Sequence, residues 1–420
     1  MAEKFLSKEY TVVEFEKKAD IYIINTCTVT NMSDRKSRQI IRRVKTKNPK
    51  SVLVVTGCYA QVASKDLENI KDIDLIIGNT EKKNIVDIVE NYIEKCKSSN
   101  KKDIKKINLT DINQEKNYID FGTTTYTEKT RAVIKVQDGC NNFCSYCIIP
   151  YAKGRVRSRS IESITKEISD IIKKGIKEVI ITGIHVASYG IDFKKDKIGL
   201  INLLEEINKI EGIKRIRLGS LEPTIITDEF VERLKNLDKI CDQFHLSLQS
   251  GCDETLKRMN RKYNTEDFEK VTYRLRKAFP SCTLTTDIIV GFPWETEEEF
   301  KTTYNYLKNI KFYKMHVFKY SPRKGTIAES MKCQIDGKIK EERSHKLIQL
   351  SNKNEKEFLE KYLNKEIEVL FEQKENGYYK GHTTNYIVVN AKGNGLSNKI
   401  LKIRITKQKE LELYGKTIET

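Results

Sequence analysis

The amino-acid sequence predicts an α/β protein in three parts: a small α/β domain, a run of repeated βα units and a small antiparallel β-barrel. Three observations support this prediction. The 420 residues suffice for two or three domains, and 38% hydrophobic with 32% charged residues is typical of a globular protein. Apolar runs of strand length alternate with stretches of helical period through most of the chain. The last sixty residues alternate apolar and polar positions between Gly and Asn turns.

Residues 1–125 are predicted to form the first domain. The predicted helices span 34–46 and 82–95, and the predicted strands are 10–15, 20–25, 51–57 and 75–78. This alternation favours a parallel sheet covered by helices. From residue 97 the chain is polar and lacks periodicity, so we expect a linker that ends near residue 125.

Residues 126–358 are predicted to form the central domain. Six candidate strands recur at regular intervals, at 132–137, 178–182, 214–219, 243–248, 283–291 and 314–320. Helical segments separate them, and in the segment 161–175 the isoleucines follow a 3.6-residue period. Repeated βα units imply a parallel sheet that is either doubly wound or curved into a partial or full barrel. In both arrangements the chemistry lies at the carboxyl ends of the strands.

Residues 359–420 are predicted to form a small antiparallel barrel after a charged helix at 339–362. The candidate strands of this barrel are 366–372, 377–382, 385–391 and 399–406. Residues 361–420 carry 11 Lys and Arg against 7 Asp and Glu, and this small excess does not by itself indicate RNA contact.

The whole chain carries 77 Lys and Arg against 59 Asp and Glu, a formal net charge of +18. Such a charge attracts polyanions, so nucleic acid is the first partner to consider; the alternative is a solvated lysine-rich surface. Because no apolar run is long enough to span a bilayer and the first residues do not resemble a signal peptide, we expect a cytoplasmic protein without membrane contact. In a reducing compartment its 10 cysteines are more typical of metal or redox groups than of disulfides.

Cys140, Cys144 and Cys147 directly follow the first central strand. If 10 cysteines were placed at random, this C-x3-C-x2-C spacing would occur about 0.006 times. The alternatives are a lone redox pair or a zinc site, but structural zinc takes four ligands, usually from two separated pairs, and the sequence has no second pair. Three thiolates can hold three irons of a 4Fe-4S cluster and leave the fourth iron open, whereas electron-transfer clusters take four cysteines. We therefore expect an iron–sulfur cluster with one open position.

Five segments of the sequence resemble motifs of known proteins: DGCNNFCSYCIIPYAKGRVRSRS (138–160), ITGIHVASYG (181–190), RIRLGSLEP (215–223), FHLSLQSGCDETLKRMNR (244–261) and DIIVGFPWET (287–296). The cysteine segment resembles the radical S-adenosylmethionine (SAM) superfamily, in which the amino and carboxylate groups of SAM bind the open iron. All five segments together resemble the methylthiotransferases. Among these, the sequence is most similar to the MtaB-like tRNA enzymes that act on N6-threonylcarbamoyladenosine.

The resemblance implies an N-terminal methylthiotransferase domain, a central radical SAM domain with a partial (β/α)6 barrel, and a C-terminal barrel of the RNA-binding TRAM type. It implies addition of a methylthio group to C2 of N6-threonylcarbamoyladenosine at position 37 of tRNA. Reductive cleavage of SAM would give a 5′-deoxyadenosyl radical that removes hydrogen from C2, a second cluster would supply sulfur, and a second SAM would supply the methyl group. No acid, base or nucleophile is assigned, because an aryl C–H has no useful pKa.

The resemblance also implies partners and SAM contacts. The implied partners are the tRNA anticodon stem-loop and an external one-electron reductant, and we expect a monomer. Tyr146 corresponds to an aromatic residue near the SAM adenine, and Thr182 with Gly183 to the contact with the methionine amino group. Ser220 and Glu222 correspond to ribose contacts, and Gly291 to a close approach of backbone to adenine.

Methylthiotransferases carry a second 4Fe-4S cluster on three cysteines of the N-terminal domain. Cys27 and Cys58 match two of those positions, each directly after an apolar run; the alternative is two small buried hydrophobic residues. The third ligand, near the start of the first strand in the family, is missing here. We expect that the sequence is truncated or begins at a misassigned codon. Cys96, at the end of a helix beside the linker, is not expected to replace that ligand.

Two basic segments are candidates for phosphate contact. Residues 35–47 contain seven Lys and Arg without an acid, and Lys153, Arg155, Arg157 and Arg159 follow the cluster cysteines at every second position. A solvated helix face is the alternative for the first segment.

The alternative functions are the same chemistry on isopentenyladenosine in tRNA or on an aspartate of a ribosomal protein, or a non-catalytic RNA-binding protein with a structural metal.

Overall fold

Parallel strand pairs predominate outside the C-terminal barrel of this structure, a computed structural model that describes residues 1–28, 30–98, 106–120, 130–193 and 198–418. The chain forms two units. Unit 1 comprises Met1–Thr124, Asp138–Arg157 and Ser321–Ser330, and unit 2 comprises Thr125–Gln137, Ser158–Tyr320 and Met331–Thr420. The predicted boundary at residue 125 and residues 99–105 and 121–125 of the predicted linker lie outside the described residues, so the three-part division stays a prediction. Among the described residues, no helix combines the length and the apolar character that crossing a membrane requires.

The strands are β1 (Ile21–Thr26), β2 (Val52–Gly57), β3 (Leu75–Ile77), β4 (Ile107–Asn108), β5 (Arg131–Asp138), β6 (Arg157–Ser158), β7 (Glu178–Gly183), β8 (Arg215–Leu218), β9 (Gln243–Gln249), β10 (Thr283–Val290), β11 (Lys314–Lys319), β12 (Glu366–Glu375), β13 (Tyr378–His382), β14 (Val388–Ala391), β15 (Ile400–Lys409) and β16 (Glu412–Thr417).

The helices are α1 (Ala2–Leu6), α2 (Asn31–Lys47), α3 (Cys58–Val62), α4 (Ser64–Glu68), α5 (Ile85–Ser98), α6 (Ile149–Lys153), α7 (Ile161–Ile172), α8 (Leu200–Asn208), α9 (Asp228–Lys235), α10 (Asp253–Arg258), α11 (Thr265–Ala278), α12 (Glu297–Ile310), α13 (Ile327–Ser330) and α14 (Gly337–Glu360).

Unit 1 contains a parallel sheet in the order β1-β2-β3-β4. Helices cover both of its faces, as is usual for parallel sheets. On one face α2 packs with Ile41 and Val44, and on the other α5 packs with Val86 and Val89. Three predicted strands and both predicted helices are confirmed to within a few residues.

The predicted strand at 10–15 is wrong. These residues have no regular structure, and the side chains of Val12, Val13 and Phe15 are exposed. A β-branched run becomes a strand when a neighbouring strand and a buried face support it, and here both are missing. The two-residue strand β4, in contrast, was not predicted, because two residues are too short to show a period.

In unit 2, parallel pairings connect β5 to β7 to β8, and β9 to β10 to β11. Isolated bridges from Ile216 to Ile240 and from Leu221 to Leu246 join the regions of β8 and β9. All six predicted strands are therefore present, and neighbours in sequence are neighbours in the sheets. A doubly wound sheet reverses its strand order at a switch point, so the sequential order favours the barrel-like alternative.

The C-terminal strands form a closed barrel in the order β12-β13-β14-β16-β15. The predicted barrel is confirmed, but it is not fully antiparallel, because β14 and β16 pair in parallel. A closed ring of five strands cannot alternate direction throughout, so one parallel pair is unavoidable. The fifth strand, β16, was not predicted. The barrel core contains Phe371, Ile387 and Ile403.

Candidate functional site

The loop after β5 carries the three cysteines predicted to bind the cluster, and residues 138–157 belong to unit 1. Cys140, Cys144 and Cys147 are partly exposed, and no cysteine in the described chain forms a disulfide. The Cys140 N–H donates to the Gly154 carbonyl at 3.0 Å, so the two ends of the loop are bonded. The Cys147 N–H donates to the Cys144 carbonyl at 2.9 Å. One closed loop therefore presents all three thiols.

Backbone contact and side chains hold this loop closed. Gly139 has a φ of +75°, and a Cβ there would lie 1.8 Å from the Arg155 carbonyl oxygen. The Arg155 guanidinium lies over the Phe143 ring, 4.5 Å from its centroid. The buried Arg157 donates to the Lys153 carbonyl at 2.8 Å. These contacts hold the backbone of the two ends of the loop together.

Replacing Gly139 by alanine should open the loop. Positive φ costs an alanine about 1–2 kcal/mol, and the overlap with the Arg155 carbonyl adds to this cost. Since 1.4 kcal/mol corresponds to a tenfold change, we expect hydrogen exchange of the Cys140 amide to accelerate by more than about tenfold. Hydrogen–deuterium exchange read by mass spectrometry measures it.

Gly377 provides a control for the backbone cost alone. It has a φ of +81°, and apart from its chain neighbours no heavy atom of the described residues lies within 4 Å of an added Cβ. Gly377→Ala should leave exchange at Cys140 unchanged. No acceleration at Cys140 in Gly139→Ala would show that the close approach at Gly139 does not hold the loop.

Cys27 and Cys58 follow neighbouring strands of the unit 1 sheet. The parallel register pairs Thr26 with Gly57, and each cysteine is the next residue. Because neighbouring strands are about 4.8 Å apart, the two cysteines leave the same edge of the sheet side by side. Cys27 is exposed and Cys58 is partly exposed, which does not fit two buried hydrophobic residues.

The ligand assignments themselves stay predictions. Within the described residues, no three His, Cys, Asp or Glu side chains come together closely enough to hold a metal ion. Cys96 packs against the apolar layer between α5 and the sheet. This position agrees with the expectation that Cys96 is not a ligand.

In unit 2, three loops at the carboxyl ends of strands meet at Glu222, a predicted ribose contact. Glu222 follows β8 and is buried. Its Oε2 lies 2.8 Å from Nε2 of His185, which follows β7, and its Oε1 lies 3.1 Å from Nη2 of Arg261, beyond β9 and α10. The buried Gln137 side chain, near the end of β5, accepts the His185 N–H at 2.8 Å. His185, Arg261 and Gln137 were not predicted from the sequence, although all three flank or lie in segments that carry the family resemblance.

Thr182, Gly183 and Ser220 lie at the adjacent ends of β7 and β8. The Gly219 N–H donates to the Ile181 carbonyl at 2.8 Å, which joins the two ends. Thr182 and Gly183 are partly buried, and Ser220 is exposed. These predicted SAM contacts therefore share one end of the unit 2 sheet with Glu222. Tyr146 lies on the cysteine loop of unit 1 and is partly buried.

Gly291, the remaining predicted contact, follows β10 with a φ of +70°. Its N–H donates to the Glu295 carboxylate at 2.6 Å. An added Cβ would lie 2.2 Å from Cγ of Lys340 on α14, so Lys340 covers this α-carbon. Burial lowers the pKa of Lys340. A ligand that approaches the α-carbon of Gly291 has to displace this flexible side chain.

The basic run after the cysteines is in part structural. Arg157 is buried in unit 1, and Arg159 is buried in unit 2 against the carboxylate of Glu167. Neither guanidinium is exposed for phosphate contact, and this was not predictable because a sequence shows the charges but not their partners. Arg155 remains exposed.

The predicted basic helix is α2, and its charges also divide into two groups. Lys45 pairs with Asp74 at 2.6 Å, and Arg43 and Lys47 pair with Glu16. Arg38 donates to the Tyr59 hydroxyl at 2.8 Å. The exposed cations of α2 without an ion pair among the described residues are Arg35, Lys36 and Arg42.

Comparison with known proteins adds to this geometry. The Radical SAM superfamily matches residues 134–307, and Uncharacterized protein family UPF0004 matches residues 1–78. The threonylcarbamoyladenosine tRNA methylthiotransferase MtaB of Bacillus subtilis (strain 168) is 42% identical over 410 residues, which cover 96% of this chain and 89% of that protein. The chain belongs to the radical SAM methylthiotransferase family.

The chain is also similar to a second methylthiotransferase and to a solved radical SAM structure. The tRNA-2-methylthio-N(6)-dimethylallyladenosine synthase of Clostridium tetani is 33% identical over 419 residues, 97% of this chain and 90% of that protein. Among solved structures, the radical SAM methyltransferase TsrM from Kitasatospora setae has a TM-score of 0.54 and 17% identity, and the match covers 73% of this chain and 66% of that chain. The second similarity shows a shared fold.

Radical SAM methylthiotransferases use 4Fe-4S clusters and SAM. The cysteine loop fits such a group chemically, because thiolates are the ligands that iron–sulfur clusters take. Its three thiols come from one loop whose ends are bonded to each other. Within unit 2, the strand ends around Glu222 carry the buried polar side chains of Glu222 and Gln137.

Proposed function

We propose that this chain is a tRNA methylthiotransferase that adds a methylthio group to C2 of N6-threonylcarbamoyladenosine at position 37. The observation that carries the proposal is the 42% identity, over 96% of the chain, to a threonylcarbamoyladenosine enzyme. Identity to the dimethylallyladenosine synthase of Clostridium tetani is lower, at 33% over a similar length. The formal charge of +18 agrees with a polyanionic substrate.

In this proposal Cys140, Cys144 and Cys147 hold three irons of a 4Fe-4S cluster, and SAM takes the fourth. When bound and reduced by an external one-electron donor, this group supplies the radical that removes hydrogen from an unreactive aryl carbon. The protein residues bind and orient. From the family resemblance, Thr182 and Gly183 would contact the methionine amino group of SAM, and Tyr146 would contact its adenine.

Glu222 is proposed to bind the ribose of SAM together with Ser220. A carboxylate accepts hydrogen bonds of the kind that ribose hydroxyls donate. The carboxylate of Glu222 also contacts His185 and Arg261. The same two bonds fix the carboxylate plane. His185 and Arg261 therefore act as positioning residues for this contact.

Cys27 and Cys58 are proposed as ligands of the second cluster, which bears the sulfur. Their adjacent positions after β1 and β2 support a common site. For the RNA, we propose contact through the C-terminal barrel, as a TRAM-like module, and through the exposed cations of α2. Phosphate neutralisation by these cations predicts binding that weakens as salt rises.

Nucleoside mass spectrometry of tRNA from a strain without this gene tests the proposal. We expect complete loss of 2-methylthio-N6-threonylcarbamoyladenosine, accumulation of its unmethylthiolated precursor and restoration by the intact gene. Loss of the 2-methylthio isopentenyladenosine instead would overturn the substrate assignment. Unchanged levels of both nucleosides would overturn the activity on tRNA.

A further inference from the structure

A short segment of unit 1 reaches both cysteine loops. Residues Ser321–Ser330 follow β11 and belong to unit 1, together with the loop of Cys140, Cys144 and Cys147 and the sheet edge of Cys27 and Cys58. We call this segment the bridge. It contains α13 and has the sequence SPRKGTIAES.

One end of the bridge binds the residues that follow Cys27. Arg323 is buried, and its guanidinium donates to Oδ2 of Asp34 at 2.6 Å and to Oδ1 of Asn31 at 2.6 Å. The same guanidinium donates to the hydroxyl of Thr28, the neighbour of Cys27. The Asn31 N–H donates to the Ser321 hydroxyl at 3.3 Å. One guanidinium thus binds three side-chain acceptors, one next to Cys27 and two in the first turn of α2.

The other end of the bridge binds the loop after β5. The Ala328 N–H donates to the Ser145 carbonyl at 2.8 Å, and both residues are buried. Ser145 lies between Cys144 and Cys147. Within the bridge, the Thr326 hydroxyl donates to the Arg323 carbonyl at 2.7 Å, which ties the two ends together.

We propose that Arg323 is a positioning residue that sets the Cys27 segment relative to the Cys140–Cys147 loop. The inference rests on the proposed function, in which a carbon radical formed with one cysteine loop takes sulfur held near the other. Formation of a carbon–sulfur bond requires the two atoms to be in near contact, and a 1 Å displacement costs about 100-fold in rate. Cleavage of SAM takes place at the loop after β5 and does not require this alignment.

The proposal predicts uncoupling of two measurable products. In Arg323→Gln, 5′-deoxyadenosine should form at a rate within about twofold of the parent protein, while methylthio product should fall about 10- to 100-fold. Arg323→Lys should recover part of the product, because an ammonium keeps the charge but loses the planar fork that serves three acceptors. Both products are measured by liquid chromatography and mass spectrometry after anaerobic reconstitution.

Hydrogen exchange in the iron-free protein tests the role of Arg323 without an activity assay. In the protein without iron, Arg323→Gln should accelerate hydrogen exchange in peptides that contain residues 30–36, because the guanidinium binds Thr28, Asn31 and Asp34. Peptides that contain residues 140–147 should exchange as in the parent, because the bond from the Cys140 N–H to the Gly154 carbonyl closes their loop. Arg159→Gln is the matched control, because Arg159 is an equally buried arginine with a carboxylate partner, in unit 2. It should leave exchange in both unit 1 segments unchanged.

The outcomes separate the two proposals. A parallel fall of both products, or unchanged exchange in residues 30–36, would overturn the role of Arg323. If the parent protein makes 5′-deoxyadenosine but no methylthio product on any tRNA, the proposed function fails, and the exchange experiment still decides whether Arg323 holds the segment after Cys27.

Discussion

Replacing Cys144 by serine should abolish iron binding at the loop after β5 and, with it, the cleavage of SAM. A three-thiolate site has no spare ligand, because the fourth iron is kept open for SAM. Loss of a group that only supports a metal ligand costs about 10- to 100-fold in metal affinity or activity, so loss of a ligand itself should exceed this range. We expect about four fewer irons per chain after anaerobic reconstitution, and 5′-deoxyadenosine below about 1% of the parent level.

Cys333→Ser is the control for this experiment. Cys333 is exposed in unit 2, and no role is assigned to it. Its replacement should leave both the iron content and the formation of 5′-deoxyadenosine at the parent level. Full iron content and full SAM cleavage in Cys144→Ser would refute the assignment of the three-cysteine loop, whatever the nature of the substrate.

The sequence determined most of the strand and helix positions because their periods are local properties. The isoleucines of α7 illustrate this point: Ile164, Ile168 and Ile171, which follow a 3.6-residue period, are all buried in the unit 2 core. The segment 10–15 shows the limit, since its β-branched residues match a strand but no neighbouring strand pairs with them. Whether a segment finds a strand to pair with depends on the whole fold and cannot be judged from the residues of that segment alone.

The part of the candidate site that was predictable from the sequence is the part marked by a characteristic spacing of residues. Cys140, Cys144 and Cys147 stand out by their spacing alone, and a family resemblance added Glu222. The partners of Glu222 were not predictable, because His185 and Arg261 lie 37 and 39 positions away in sequence and meet it only through the sheet. The same reason explains Arg157 and Arg159, which look like an RNA-binding run but are buried.

A buried charge cluster at the opposite end of the unit 2 strands leads to the second large expected effect. Glu178, at the first position of β7, has no exposed surface. It accepts from Nε of Arg217 at 2.8 Å, and Nη1 of Arg131 lies 3.9 Å away. Arg217 in turn donates to the Thr384 carbonyl of the C-terminal barrel at 2.8 Å and lies over the Tyr386 ring. The carboxylate of Glu178 thus balances the positive charge of the arginines that connect the barrel to the six-stranded part of unit 2.

Glu178→Gln should destabilise unit 2 by about 3–5 kcal/mol, because it leaves the buried Arg217 without its counter-charge. The single tryptophan, Trp294, lies in unit 2, so its fluorescence during urea unfolding reports on this unit. Glu205→Gln is the matched control: it removes a carboxylate that accepts from Arg233 at 2.8 Å, but this pair is about one-third exposed. Exposed pairs contribute about 0–1 kcal/mol, so the control should unfold close to the parent. Equal shifts in the two variants would mean that solvent reaches Glu178, and that the barrel is held to unit 2 by apolar packing and backbone acceptors instead of by this charge.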